Sequence, residues 1–274
     1  MIWWVLLVSN DVTVVIPVFN SQGTIERALE SVYLQTKAPY EVIVVDDCSS
    51  DDYTTTFVYW ESRFSSIGVE FRTIRLQRNS GPSRARNIGW NAATTEFIAF
   101  LDADDSWLCR KLEVQLQSMA VNNFDVVGCF SGRVMHRAMH TRCSKPATFL
   151  KFRSILLRNP FTTCSTVLLR TSLPFRFNEA MRYAEDYDLW LRMSGVGLKL
   201  GMVNEKLSEY HKVLYGDAGL SGDILLMQIH ELACFRRLRR DGFINRAVYL
   251  FLISFSFSKF LKRVLLHGIF KLYR

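Results

Sequence analysis

The sequence predicts an α/β protein: a doubly wound, mostly parallel sheet followed by a C-terminal helical extension. Two observations carry this. Between Val12 and Phe130, short apolar β-branched runs alternate with segments of helical period, the pattern of parallel strands buried on both faces. Three of those runs end in polar residues: Asn20, Asp46 with Asp47, and Asp102 to Asp105. Open α/β sheets bind ligands outside the carboxyl ends of their strands, so these residues mark one edge as a site.

Taken in order, residues 12–19 (VTVVIPVF) form an uncharged strand. Residues 24–35 form a helix with Ile25, Leu29 and Val32 on one face. Residues 41–47 (EVIVVDD) are a second buried strand and 70–76 a third. Ser80-Gly81-Pro82 opens a helix over 82–93. Residues 97–101 are an apolar strand, 107–119 a helix and 125–130 a strand. Beyond Arg133 the alternation weakens. Strands are expected over 161–170 and 198–203, an acidic loop running into a helix over 183–193, and a helix over 225–240. Residues 247–272 are apolar, aromatic and basic.

The 274 residues suit one large domain with an appendage. The reading is a catalytic domain over 10–222, with a nucleotide-binding half at about 10–130 and an acceptor half at about 131–222. A helical, basic extension over 223–274 follows, with a compositional boundary near Asp241. Six cysteines are scattered singly, with no zinc spacing, which favours reduced thiols and a cytosolic setting. Residues 1–8 (MIWWVLLV) are too short to span a bilayer. They read as a strand extension or an upstream start, or as an interfacial anchor through Trp3 and Trp4.

The net charge of +8 is unevenly placed: from Phe235 onward there are ten basic residues and one acid, and the body before it is near neutral. Such a tail seeks a polyanion or an anionic membrane. Phe257, Leu261, Val264 and Leu265 fall on one face of a helix, and Lys259, Lys262 and Arg263 on another. That pattern suits a helix in the headgroup layer; the alternative is a helix packed on the catalytic domain.

Leu101-Asp102-Ala103-Asp104-Asp105 is the strongest chemical feature. Three carboxylates within four residues repel unless a cation or donors balance them. Mg²⁺ and Mn²⁺ favour such oxygen ligands and complete their shell with substrate phosphates. An extended chain points Asp102 and Asp104 to one side; the alternative use of this run is a cap, with Asp105 on the helix expected from Trp107. Asp46-Asp47 reads as an acceptor for a base or ribose, or as an Asx turn. Arg84 and Arg86 follow a glycine-bounded helix start, which suits phosphate, or else a solvated helix face. Glu185-Asp186 offers a carboxylate base for a sugar hydroxyl, or else surface acids on a helix.

The loop over 215–221 (YGDAGLS) resembles that of some bacterial surface-polysaccharide transferases. Five motifs in order resemble glycosyltransferase family 2, the inverting enzymes of the A-type glycosyltransferase fold. They are residues 14–20 (VVIPVFN), 44–49 (VVDDCS), 85–89 (ARNIG), 100–105 (FLDADD) and 184–192 (AEDYDLWLR). The resemblance covers about residues 10–222. It implies that Pro17, Phe19, Asn20, Asp46, Asp47, Arg86 and Asp102 bind the nucleotide-sugar, and that Asp102 and Asp104 hold a divalent metal, Mn²⁺ or Mg²⁺. Asp186 matches the base, with Glu185 supporting the acceptor. The sequence departs from the family at Cys48, where many relatives have glycine, and around Tyr210-His211-Lys212, which leaves His211 outside the metal set.

The implied partners are a nucleotide-diphospho-sugar donor, a saccharide acceptor on a polyprenyl carrier, and the cytoplasmic face of the inner membrane, met by a peripheral protein through its C-terminal extension. Two other readings remain. A nucleotidyltransferase acting on sugar phosphates also places acids at strand ends, but has no use for the late Glu-Asp pair. A nucleic-acid binder fits the basic tail, yet the acid-lined edge repels phosphate, so no nucleic-acid partner is expected.

Overall fold

The computed structural model describes residues 12–133, 146–211 and 223–272, with side chains as far as Val264. Expectations for residues 1–8 and for the loop after His211 lie outside them.

The chain begins β1 (Val12–Val18), α1 (Ile25–Tyr33), β2 (Glu41–Asp46), α2 (Thr54–Ser65), β3 (Glu70–Arg75), α3 (Pro82–Ala92) and β4 (Phe97–Phe100). These strands are parallel, with β1 between β2 and β4 and β3 at the edge. Right-handed crossovers through helices are the usual way to join parallel neighbours. After β3 the chain crosses to the other flank of β1, so the strand order reverses between β1 and β4. A ligand crevice opens at such a point.

The second half is mixed. It comprises β5 (Asp105–Trp107), α4 (Lys111–Asn122), β6 (Val126–Arg133), β7 (Thr148–Phe149), α5 (Phe152–Leu157), a 3-10 turn (Cys164–Thr166), β8 (Val167–Arg170), α6 (Glu185–Gly195) and β9 (Leu200–Tyr210). The sheet order is β3-β2-β1-β4-β8-β6-β9-β5, with β7 on β9. Strand β8 lies antiparallel between β4 and β6, while β6 and β9 are parallel. Two helices follow, α7 (Ile224–Arg240) and α8 (Arg246–Leu272).

Several expectations are corrected here. The helix expected from Trp107 starts at Lys111, because Asp105–Trp107 pairs as a strand with the end of β9. Only Val167–Arg170 of the strand expected over 161–170 is extended. Helix α2 was not expected: its mix of threonine and aromatic residues gives weak helical periodicity, and Trp60 and Phe64 are its only fully buried side chains.

Two apolar layers flank the sheet. One packs α1, α2 and α4 against Val14, Ile16, Val42 and Val44. The other packs α3, α6 and α7 against Val15, Ile43, Val45 and Ile98. Alternate residues of β1 and β2 feed opposite layers, as the strand period requires. Gly89 lets α3 close on β1: a Cβ there would meet Val15 Cγ1 at 2.4 Å. Cys234, Phe235, Ile244 and Leu252 belong to the second layer, so the C-terminal helices share the core of the body. Asp241 is the residue ending α7.

Candidate active site

Asn20, at the end of β1, adopts a left-handed φ of 47°, a conformation asparagine tolerates better than most. Its N–H donates to Ser49 Oγ (3.0 Å), and its Oδ1 accepts from Ser50 N–H (2.9 Å). It therefore joins the β1 and β2 loops. Phe19 beside it is half exposed and Pro17 partly buried.

Both acids ending β2 are buried. Asp46 accepts from Ser49 N–H at 2.9 Å, an Asx-type bond, and lies 3.3 Å from Arg75 Nη1. Asp47 accepts from the N–H groups of Ser80 and Gly81, both at 2.7 Å. These bonds set the turn into α3, where Gly81 has φ 89°. A cleft of about 570 Å³ lies alongside, lined by Asp46, Asp52, Tyr53, Phe57, Arg72 and Arg75. It does not reach the later acids.

The acids after β4 do not run extended. Asp105 N–H donates to Asp102 O (3.0 Å), closing a turn over 102–105. Strand alternation therefore does not align Asp102 with Asp104. Arg27 from α1 donates to Asp104 O at 2.8 Å. Asp105 caps no helix: it is buried in β5 and accepts from Ser165 Oγ (2.6 Å) and Thr163 Oγ1 (3.3 Å). Burial, then the charge of Asp102, pushes its carboxyl up to about 7. Ser165, which no sequence signal marked, also accepts the Asp102 N–H at 3.0 Å.

Arg86 is buried, not solvated. Its Nη2 donates to Asp102 Oδ1 (2.6 Å) and its Nη1 to Glu185 Oε1 (3.1 Å). Burial opposes its charge, but Asp102 and Glu185 outweigh that and hold it protonated. The guanidinium lies 5.4 Å from the centre of the Phe177 ring. One cation thus ties the acids after β4 to the first turn of α6, reaching Glu185 from 99 residues earlier in the chain.

Asp186, next on α6, has both oxygens engaged. Oδ1 accepts the Tyr187 N–H (2.6 Å) and Oδ2 accepts from Asn159 Nδ2 (3.0 Å). Burial, then the charge of Glu185, raises its carboxyl to about 7. A carboxylate titrating near neutrality is matched to general base work. Behind it Asp188 accepts from Arg192 Nε (2.8 Å) and Arg237 Nη1 (2.9 Å), fastening α7 to α6.

His211 lies against the same edge, with Nε2 2.8 Å from Ser106 Oγ. Burial, then Arg27, holds its pKa below the usual range, against the pull of Glu209 and Asp104. Asp102 and Asp104 are an oxygen donor pair suited to Mg²⁺ or Mn²⁺. Among the described residues no group of three histidine, cysteine or acidic side chains forms a metal site, so phosphate or water would have to complete a shell.

The structure therefore brings Arg86, Asp102, Glu185 and Asp186 together, with Asp104 in the adjoining turn. It places Pro17, Phe19, Asn20, Asp46 and Asp47 along the neighbouring strand ends. An open sheet with acids at its switch point and a second carboxylate pair on a later helix belongs to the A-type glycosyltransferase fold. Solved structures agree on the fold. The chain superposes on S. aureus TarS 1-349 in complex with UDP-GlcNAc with a TM-score of 0.67, at 21% identity, over 92% of this chain and 72% of that one. On the Pyrobaculum calidifontis mannosyltransferase PcManGT in complex with GDP-Man and Mn²⁺ the TM-score is 0.65, at 16% identity, over 96% and 81%.

Residues 13–173 match the model of glycosyl transferase family 2, and the chain belongs to that family. It is 32% identical over 183 residues to the Escherichia coli UDP-Glc:alpha-D-GlcNAc-diphosphoundecaprenol beta-1,3-glucosyltransferase WfgD, over 66% of this chain and 68% of that protein. An uncharacterized glycosyltransferase of Rickettsia felis is 31% identical over 212 residues, which are 74% of this chain and 33% of that protein. The chain thus spans only a third of that relative.

Proposed function

We propose that this glycosyltransferase moves a hexosyl or N-acetylhexosaminyl group from a nucleotide-diphospho-sugar to a polyprenyl-linked saccharide in surface polysaccharide synthesis, of O-antigen or capsule type. Configuration inverts in a single displacement. The observation that carries the reading is Asp186: a carboxylate held from both oxygens, raised to about 7, and joined through Glu185 and Arg86 to Asp102. In this reading Asp186 takes the acceptor hydroxyl proton, and Glu185 stands by the acceptor with its charge balanced by Arg86. Pro17, Phe19, Asn20, Asp46 and Asp47 form the nucleotide side of the site. The acceptor class is supported by the diphosphoundecaprenol substrate in the name of WfgD.

A divalent cation, Mn²⁺ or Mg²⁺, would be held by Asp102 and Asp104 and would offset charge on the leaving diphosphate. For Arg86 to act on that diphosphate as well, one of its two ion pairs has to open when donor binds. Asp104→Asn should lower transfer at least about a hundredfold with little change in melting temperature. Full activity of this variant, or of wild type in excess EDTA, refutes metal dependence.

A donor screen with Mn²⁺ tests the main reading. Release of nucleoside diphosphate supports it; release of pyrophosphate from a sugar phosphate and nucleoside triphosphate means a nucleotidyltransferase instead.

A lipid-linked acceptor calls for a protein at the cytoplasmic face of the inner membrane. Among the described residues no helix is long and apolar enough to cross a membrane; the contact read here is peripheral, through the C-terminal helices. The expected basic face of α8 needs correction. Lys259 and Arg263 turn inward to the buried Glu231, at 2.6 and 3.3 Å. Lys262 stays exposed, and beside it α8 presents apolar side chains to the outside: Leu250, Phe251, Phe257, Leu261 and Val264 are each about half exposed. Exposed Arg236, Arg239 and Arg240 on α7 and Arg246 on α8 add charge around the α7–α8 turn, next to Leu250 and Phe251. Apolar insertion beside arginines suits an anionic bilayer.

A further inference from the structure

Asn159 lies between α5 and the 3-10 turn, and both ends of its carboxamide are used. Oδ1 accepts the Phe161 N–H at 3.2 Å, and Nδ2 donates to Asp186 Oδ2 at 3.0 Å. The first bond settles which end of the amide faces the carboxylate: with its oxygen tied to an N–H, Asn159 can offer Asp186 only its NH₂. The neighbouring segment is held as well, since Tyr187 Oη reaches the carbonyl oxygens of Ile155 and Leu156 at 2.8 and 3.0 Å, joining α6 to the end of α5.

We infer that Asn159 is a positioning residue for the transfer reaction, holding the Asp186 carboxylate in one orientation and favouring its ionised form. The inference rests on Asp186 being the base. Neither the Asn159 amide nor the Tyr187 N–H can accept a proton. A proton taken from the acceptor must therefore go to a lone pair of Asp186 that faces neither of them. Donation to a carboxylate also favours its charged form. The other groups that bear on Asp186 are Glu185 and Tyr187 on α6, Arg86 from α3, Cys164 from the 3-10 turn and Cys234 from α7. Burial and Glu185 push the Asp186 carboxyl up, while Asn159, the Tyr187 N–H and Arg86 pull it down. Removing the Asn159 donor leaves the upward push less opposed.

The variants are Asn159→Leu, which keeps the branching of the side chain without the donor, and Asn159→Asp, which keeps the shape and adds a like charge. Carbon-13 NMR of carboxyl-labelled aspartate reads the titration directly in the full chain, with the Asp186 signal assigned by its loss in Asp186→Asn. The midpoint should rise by about one pH unit in Asn159→Leu and by more in Asn159→Asp. With the donor found by the screen, Asn159→Leu should lose about tenfold in kcat at pH 7 and return to within about threefold of wild type at pH 9, with donor KM unchanged. A residue that only shapes the loop would lower activity at every pH and leave the midpoint in place. If Asn159→Leu does not fold, Asn159→Asp alone decides by the same shift. An unmoved midpoint in a folded variant, with Asp186→Asn inactive, overturns the role of Asn159 and leaves the base standing. Full transfer by Asp186→Asn removes the base itself, and the inference with it.

Discussion

Cys48 occupies a left-handed turn, with φ 62°, a conformation that glycine adopts without steric cost. Asn20 and Ala184 are left-handed too, at 47° and 53°. All three directly flank or belong to the candidate site, as strained backbone often does. The sulfur of Cys48 lies 3.6 Å from Gln77 O, a weak contact. Cys48→Gly removes a steric penalty of about 1–2 kcal/mol but gives the unfolded chain more freedom. It should be neutral or stabilising by up to about 1 kcal/mol, while Cys48→Val should destabilise by about 1–2 kcal/mol; urea unfolding of both variants checks this. Asp186 makes the opposite compromise. Its folded pKa of about 7 lies above the ordinary 3.8, so the folded state pays to ionise it, and stability falls as pH rises toward 7. A base works only when ionised, so wild-type kcat/KM should climb with pH through about 7. Asp186→Asn should lose about a hundredfold or more in turnover yet melt about 2–4 °C higher at pH 8, with the gain shrinking toward pH 4. A lower melting temperature at pH 8 contradicts that assignment.

Helix α3 shows how an element serves the site. Its start is held by Asp47, its third turn presses on β1 at Gly89, and between them it carries Arg86 into the interior. The ARNIG motif thus combines an inward arginine with a glycine for close approach. Gly89→Ala must move either Val15 or the helix, and should cost about 1–3 kcal/mol. Because Arg86 rides on that helix, transfer should fall more than the loss of folded protein explains; circular dichroism beside activity separates the two. Helix α6 is tied on three sides: to α3 through Glu185, to the Asn159 loop through Asp186, and to α7 through Asp188.

At the scale of the molecule, the C-terminal hairpin is built into the catalytic body. Removing α8 would strip Glu231 of both its cations and uncover Leu252 contacts, so truncation confuses membrane binding with folding. Substituting the exposed Leu250, Phe251, Phe257 and Leu261 together by serine avoids this. Each such side chain, half exposed already, contributes little to the core. The quadruple variant should keep its melting temperature within about 3 °C and lose flotation with anionic vesicles at low salt. Wild-type protein that stays unbound in that assay would show the apolar stripe to have another use.

The sequence by itself determined the parallel half of the sheet, the strand-end acids and the late carboxylate pair, because strand period and acid clustering are local properties of the chain. The family resemblance also marked Cys48 as a departure from glycine, and the backbone there is left-handed. Strand β5 was hidden because Asp105–Trp107 is extended only by pairing with β9, a hundred residues later. Arg86 reads from its neighbours as a helix-start cation; only the tertiary structure decided that it is buried between Asp102 and Glu185. Asn159 and Ser165 carried no signal, since a single polar side chain acquires its partner from whatever the fold brings opposite it. The same holds for Lys259 and Arg263, whose spacing marks a basic face until Glu231 on α7 turns them inward. Periodicity records which face of an element is apolar. Which charge meets which is fixed by contacts between segments far apart in sequence, and those exist only once the chain has folded.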